Sequence, residues 1–106
     1  MDKLSVNDFF GGWFIGDFEP TMFRNHHLEV GVKFFKVGDS EPSHKQILAT
    51  EITVVNEGQI RVGRLFLHAG EIVVIYPGEF ADFEALTDGS LTCVKFPSIP
   101  SDKVLE

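Results

Sequence analysis

Three side chains able to bind metals or move protons lie close together in the segment from Gly38 to Gly58: His44, Gln46 and Glu51. An imidazole nitrogen and a carboxylate oxygen suit Fe, Mn, Ni, Zn or Cu, whereas an amide oxygen is a weaker, neutral donor. Without a metal, His44 or Glu51 is a candidate general acid or base, and Gln46 is better suited to hydrogen bonding in a pocket. The segment therefore indicates either a metal site or a polar pocket without one.

A second segment, residues 70–81 with the sequence GEIVVIYPGEFA, indicates a strand followed by a tight Pro-Gly turn. Tyr76 begins that turn and is the only tyrosine in the chain, so it is the only candidate phenol for catalysis or ligand binding. Ala81 ends the segment and Asp82 follows it.

The spacing within these segments resembles the two sequence motifs of the cupin superfamily. The first motif is a glycine, a His-x-His pair, a glutamate and a closing glycine, and Gln46 takes the place of its second histidine. The second motif leads from a Gly-Asp strand through a Pro-rich turn to a histidine, and Ala81 takes the place of that histidine. The residues that match the first motif are Gly38, His44, Glu51 and Gly58.

The resemblance implies an all-β fold, the cupin-type double-stranded β-helix, also described as a jelly-roll barrel. In that fold, His44 and Gln46 end one strand on the same face, residues 47–50 turn the chain, and Glu51 opens the next strand to meet them. These three would be the metal ligands, and with one imidazole they should hold Fe, Mn, Ni or Zn weakly or not at all. Asp82 is a poor fourth ligand, because a one-residue shift along a strand turns a side chain to the opposite face.

Short β-branched and aromatic runs separated by Gly, Pro, Asp or Asn predict many strands and no long helix. Asn56-Glu57-Gly58 and Thr87-Asp88-Gly89 are expected to be hairpin turns. The predicted strands cover residues 28–35, 51–57, 59–63, 64–68, 71–76, 80–86 and 90–96.

The run LEVGVKFF shows the alternation expected of a sheet with one buried face. Leu28, Val30, Val32 and Phe34 share one parity, while Glu29, Lys33 and Phe35 share the other.

The length of 106 residues fits one domain, residues 1–106. We divide it into N-terminal strands and a loop (1–27), the barrel core (28–96) and a C-terminal tail (97–106), which is expected to lie along the surface or to reach a partner. The net charge of −7 and the absence of a Lys/Arg cluster disfavour nucleic-acid binding. Arg61 and Arg64 flank a turn, where surface ion pairs are a more natural role than an anion site.

The single cysteine, Cys93, lies in an apolar run and is expected to be a buried, unreactive thiol in a reducing compartment. No apolar run is long enough to span a bilayer, and the N-terminal residues do not resemble a signal peptide, so we expect a cytoplasmic protein without membrane contact. Small cupins usually pair edge strands across a two-fold axis, so we expect a homodimer, with NDFFGGWF (7–14) as the exchanged or added strand. Within it, Trp13 could line the mouth of the barrel, although core or dimer packing is commoner.

Three functions remain open at this point. The favoured one is binding of a small polar molecule, a sugar or a carboxylate, by His44, Gln46, Glu51, Tyr76 and Trp13 with weak or no metal. The first alternative is a metal-dependent isomerase or dioxygenase that uses His44, Gln46 and Glu51. The second is a metal-free sugar epimerase or isomerase in which His44 or Glu51 moves a proton and Tyr76 assists. Whether the protein is an enzyme stays undecided.

Overall fold

The computed structural model describes all residues, Met1–Glu106. Two short 3-10 turns, Val6–Asp8 and Phe10–Gly12, precede eleven β-strands. The strands are β1 (Trp13–Gly16), β2 (Phe23–Arg24), β3 (Glu29–Phe35), β4 (Ser40–Gln46), β5 (Thr50–Glu57), β6 (Gln59–Val62), β7 (Leu65–His68), β8 (Ile72–Ile75), β9 (Ala81–Ala85), β10 (Gly89–Phe96) and β11 (Lys103–Leu105).

The strands form two sheets with the orders β2-β1-β3-β10-β5-β8 and β11-β4-β9-β6-β7. Hydrogen bonds do not join the two sheets into one closed barrel. Instead the two sheets enclose a shared core, as in a jelly roll. The all-β fold class predicted from the sequence is therefore confirmed. The buried core residues are Phe35, Val55, Ile60, Val62, Leu67, Val73, Ala85, Leu91 and Cys93.

The alternation in β3 is present, but its inner face is not the apolar one. Phe35 is buried in the core, whereas Phe34 is 69% exposed. Glu29 and Gly31 share the parity of Phe35 and are also buried. The indole of Trp13 packs so closely over Gly31 that a Cβ there would clash with the ring. The indole thus fills the space that a side chain at Gly31 would take, and the inner face of β3 carries this glycine beside charged residues.

The turns around Gly58 and Gly89 are not hairpins, which corrects the sequence prediction. Each carries the chain from one sheet to the other, β5 to β6 and β9 to β10, and these pairs of strands share no ladder. Gly58 has φ 88°, and a side chain there would meet the carbonyl group of Asp88. The two crossovers therefore pack against each other, and this contact requires a glycine at Gly58.

The C-terminal tail forms the exposed edge strand of the smaller sheet. Strand β11 pairs antiparallel with β4, so Lys103 lies opposite Gln46 and Leu105 opposite His44. The buried Asp102 carboxylate accepts hydrogen bonds from the backbone N–H groups of Leu48 and Ala49 at 2.8–3.0 Å. The tail thereby places Lys103 on the same face of the sheet as Gln46 and His44.

The chain contains no helix with the length and apolar character needed to span a bilayer.

Candidate functional site

A cavity of about 270 Å³ lies between the two sheets. Strand β4 ends at Gln46 and β5 begins at Thr50, so the strand, turn and strand implied by the cupin resemblance are present. His44 and Glu51 line this cavity, which we call the first cavity, together with the indole of Trp13. Its apolar walls come from Val62, Ile75, Phe83 and Leu91.

A row of alternating charges crosses the inner face of the larger sheet. In register, Lys95 of β10 lies opposite Glu29 of β3 on one side and Glu51 of β5 on the other. The Lys95 Nζ is 3.8 Å from the Glu51 Oε1 and 4.9 Å from the centre of the Trp13 ring. Both charged side chains are largely enclosed, at 14% and 13% exposed. This pairing explains how a carboxylate can sit on the inner face of β5.

Two further lysines line the first cavity. Lys33 forms an ion pair with Glu41 and lies 5.9 Å from the centre of the Phe83 ring. Burial, followed by the nearby charge of Lys103, lowers the pKa of the Lys33 ammonium. Lys103 has no carboxylate oxygen within 4.0 Å and lines the same cavity. The cavity therefore offers one unpaired ammonium beside two paired ones.

His44 is half-buried, and its Nδ1 lies 3.1 Å from the carbonyl oxygen of Pro42. A carbonyl can only accept, so in the neutral ring Nδ1 carries the proton and Nε2 keeps its lone pair. Across the ladder, His44 lies directly opposite Ala81, which also lines the first cavity. The imidazole can accept a hydrogen bond or a proton from a ligand. Its neighbour on β9, Ala81, has only a methyl group and cannot provide a second metal-binding or hydrogen-bonding atom.

Gln46 shares the face of His44, but it lines a second cavity further along the same strand. This second cavity, also about 270 Å³, shares Phe10, Trp13, Lys95 and Lys103 with the first. The structure thus brings His44 and Glu51 to one cavity and gives Gln46 to its neighbour.

Tyr76 was expected to be a binding or catalytic residue, but it lines neither cavity. It is 61% exposed, and its backbone N–H donates to the Glu79 carboxylate at 2.7 Å within the turn after β8. Because Ile75 faces the interior, the next residue along the chain faces outward.

Asp82 lines the first cavity, but its carboxylate is paired with Arg61. Its two carboxylate oxygens accept from the Arg61 guanidinium at 2.9 and 3.0 Å, and the same guanidinium donates to the Gly63 carbonyl. These hydrogen bonds hold the pKa of the Asp82 carboxyl below its ordinary value and raise that of Arg61. The ion-pair role preferred for Arg61 from the sequence is confirmed.

Cys93 is buried on the inner face of β10, one row below Lys95. The Thr53 hydroxyl donates to its Sγ at 3.8 Å, and burial raises the pKa of the thiol to about 12. An unreactive thiol, as expected from the sequence, follows from this environment.

The residues present do not fit a tightly held metal. His44 and Glu51 are the two predicted ligands in the first cavity, Ala81 adds no donor, and Lys95 competes for the Glu51 carboxylate. Nowhere in the chain do three or more His, Cys, Asp or Glu side chains form a group that could hold a metal ion. Weak or absent metal binding stays a prediction.

Six charged residues that line the two cavities were not predicted as site residues from the sequence: Glu19, Glu29, Lys33, Glu41, Lys95 and Lys103. One signal was available for two of them. Lys33 and Lys95 interrupt apolar runs at the parity of a buried neighbour, Phe35 and Cys93 respectively. No comparable signal marks Lys103, because the tail was not expected to enter a sheet.

No protein-family model and no curated protein sequence matches the chain. Solved structures do match it. An uncharacterised protein with a double-stranded β-helix domain from Klebsiella pneumoniae is 18% identical, with a TM-score of 0.73 over 97% of this chain and 89% of that one. An RmlC-like cupin from Shewanella frigidimarina is 22% identical, with a TM-score of 0.64 over 72% and 71% of the two chains.

A third match is an oxalate oxidase in complex with glycolate, 24% identical, with a TM-score of 0.60 over 74% of this chain and 46% of that one. At these identities the likeness concerns the fold and not the activity. Together with the two sheets and the strand-turn-strand around Glu51, it establishes that this chain has the cupin, double-stranded β-helix fold.

Proposed function

We propose that this protein binds a small polar carboxylate, such as a hydroxy acid or a sugar acid, in the first cavity without a tightly held metal. The observation that carries the proposal is the group of three lysines, Lys33, Lys95 and Lys103, around one cavity of a chain with net charge −7. Elsewhere the acidic surface would repel an anion, whereas here two lysines balance the carboxylates beside them and Lys103 adds a positive charge without a partner.

The charges around the cavity favour an anion over a cation. Glu41 and Glu51 pair with Lys33 and Lys95, and Arg61 pairs with Asp82, which leaves Lys103 unpaired. A carboxylate beside Lys103 would gain charge-assisted hydrogen bonds without separating an existing ion pair.

The remaining lining suits the uncharged part of such a ligand. The His44 imidazole and the Glu51 carboxylate can accept hydrogen bonds from hydroxyl groups, and the Trp13 indole offers an apolar surface. A volume of about 270 Å³ limits the ligand to a small molecule. The oxalate oxidase of the same fold holds glycolate, a small hydroxy acid, which makes glycolate a natural first probe.

The two enzymatic alternatives receive less support. The metal-dependent one needs Gln46 beside His44 and Glu51, and Gln46 lines the other cavity. The metal-free isomerase would require the phenol of Tyr76, which is exposed on the outside of the protein. We therefore favour binding over either reaction.

The test is calorimetric titration with glycolate and, as the matched neutral probe, glycolamide. We expect glycolate to bind and glycolamide to bind at least about tenfold more weakly, since one lost charge-assisted contact of about 1.4 kcal/mol is tenfold. Lys103→Met should weaken glycolate binding, whereas Lys36→Met, at an exposed lysine outside both cavities, should leave it unchanged. Equal binding of glycolate and glycolamide, or no binding of either, would contradict the proposal.

A further inference from the structure

The second cavity contains an unusual polar group. Gln46 is 5% exposed, and its Nε2 is the only buried side-chain nitrogen or oxygen in the chain without a hydrogen-bond partner. An amide nitrogen buried in this way is costly to leave unpaired, because it has given up water without gaining an acceptor. The cavity that Gln46 lines can supply that acceptor.

Glu29 provides the complementary group in the same cavity. The Ser98 hydroxyl donates to the Glu29 Oε2 at 3.0 Å, and the Ser98 oxygen in turn accepts from the backbone N–H of Asp17 at 2.9 Å. These two bonds fix the carboxylate of the nearly buried Glu29, and no salt bridge engages it within 4.0 Å. Its Oε1 has no hydrogen-bond donor within the chain and is free to accept from a ligand.

A buried amide donor and a fixed carboxylate acceptor in one cavity match a hydroxyl group, which both accepts and donates. The walls of the cavity include the aromatic rings of Trp13 and Phe18 and the ring of Pro100. Flat apolar surfaces next to fixed polar groups are what a polyhydroxylated carbon chain or a sugar ring requires. An apolar or fully anionic ligand would leave either Gln46 or Glu29 unsatisfied.

The two cavities are not independent, because they share Trp13, Phe10, Lys95 and Lys103. A ligand whose carboxylate lies at the shared lysines therefore has its other end within reach of Gln46 and Glu29. We infer that the second cavity is a hydroxyl-recognising subsite, and that the ligand is a polyhydroxylated acid of the sugar-acid class rather than a short hydroxy acid. This inference rests on the proposed function, since it takes the carboxylate position from it.

The experiment compares glucuronate, which carries both a carboxylate and a polyol ring, with glycolate, which is too short to occupy both cavities. We expect wild-type protein to bind glucuronate at least about tenfold more tightly than glycolate. Gln46→Leu and Glu29→Gln should each remove most of this preference while leaving glycolate affinity unchanged. Glu29→Gln keeps an oxygen for Ser98 and serves as the milder variant should Gln46→Leu fail to fold.

Gln59→Leu is the matched control, because Gln59 is exposed on β6 and lines neither cavity. Binding of glycolate with no preference for glucuronate, or a preference that survives both variants, would overturn the subsite while leaving the proposed function intact. Failure of both acids to bind would overturn the proposed function itself. A loss of glycolate affinity equal to the loss of glucuronate affinity would show a merely structural effect and would also overturn the subsite.

Discussion

His44 and Ala81 lie opposite each other on β4 and β9, and both line the first cavity. The motif resemblance assigned a histidine to the position of Ala81, and the ladder shows that this position does face His44. The small methyl group of Ala81 therefore marks the place where a second imidazole would stand.

The first prediction restores that imidazole. In Ala81→His, we expect the protein to acquire Zn or Ni binding, because two imidazoles and the Glu51 carboxylate would provide three donors. Metal content after dialysis against the ion, measured by mass spectrometry, should rise from well below one ion per chain to near one. Phe34→His adds a histidine on the outer face of β3 and is the control. Stoichiometric, tightly held metal in the wild-type protein would contradict the prediction.

The second prediction concerns the Gln46 amide and stability. Because its Nε2 is buried without a partner, Gln46→Leu should raise the free energy of unfolding in the absence of ligand, by about 1 kcal/mol or more. Urea denaturation measures this, with Gln59→Leu expected to change little. A clear loss of stability would mean that the amide is already satisfied in the free protein.

The third prediction concerns the anchor of the tail. The Asp102 carboxylate accepts from the backbone N–H groups of Leu48 and Ala49, and all of its contacts disappear in Asp102→Ala. The buried N–H of Ala49 and the partly buried N–H of Leu48 then lose a charged acceptor, so the free energy of unfolding should fall by about 2 kcal/mol. Since Lys103 follows directly, glycolate affinity should fall as well. Unchanged urea stability would show that β11 is held in some other way.

The fourth prediction concerns the Cys93 thiol and pH. Its pKa in the folded protein, about 12, lies above the unfolded value of about 8.5. The folded state therefore binds the thiol proton more tightly than the unfolded state does. The protonated thiol contributes fully to stability below about pH 8.5, and this contribution is lost as the pH rises towards 12. Native protein at pH 8 should resist iodoacetamide, while urea-unfolded protein reacts. Equal rates in the two states would refute the buried, protonated thiol.

The fifth prediction is the homodimer. The N-terminal segment NDFFGGWF leaves Phe10 87% exposed at the edge of both cavities, and β1 lies next to the short edge strand β2. Exposed aromatic rings and an incompletely covered edge favour association of two copies. Light scattering with size-exclusion chromatography should give twice the chain mass of 11.9 kDa. A monomer at micromolar concentration would rule this out.

Much of the fold was predictable because its signals are local. Apolar β-branched runs and turn residues located seven strands close to their observed bounds, from β3 to β10, and the motif spacing added the strand that carries His44 and Gln46. The Gly58 and Gly89 turns were also found. Their role was not, since a turn sequence does not reveal whether the next strand pairs with the last one or crosses to the other sheet.

The site was predictable in part for the same reason. The motif resemblance predicted that His44 and Glu51 meet inside the fold, and both line the first cavity. It predicted the same for Gln46, which lines the second cavity instead. Lys33, Lys95 and Lys103 come from three distant segments, and only the pairing of β3 with β10 and of β11 with β4 brings them together. Alternation in a strand separates two faces but does not say which is inside.

The sequence alone thus predicted the all-β, cupin-type fold, together with a metal-ligand set reduced to His44, Gln46 and Glu51. Only the tertiary structure decided that the charged face of β3 turns inward. On this face Trp13 packs over Gly31, and Lys95 lies between Glu29 and Glu51 across the sheet. Burying these charges is tolerable only when partners from other strands compensate for the lost water. That compensation arises only once the strands have assembled into the sheet, so the sequence of a single segment does not reveal it.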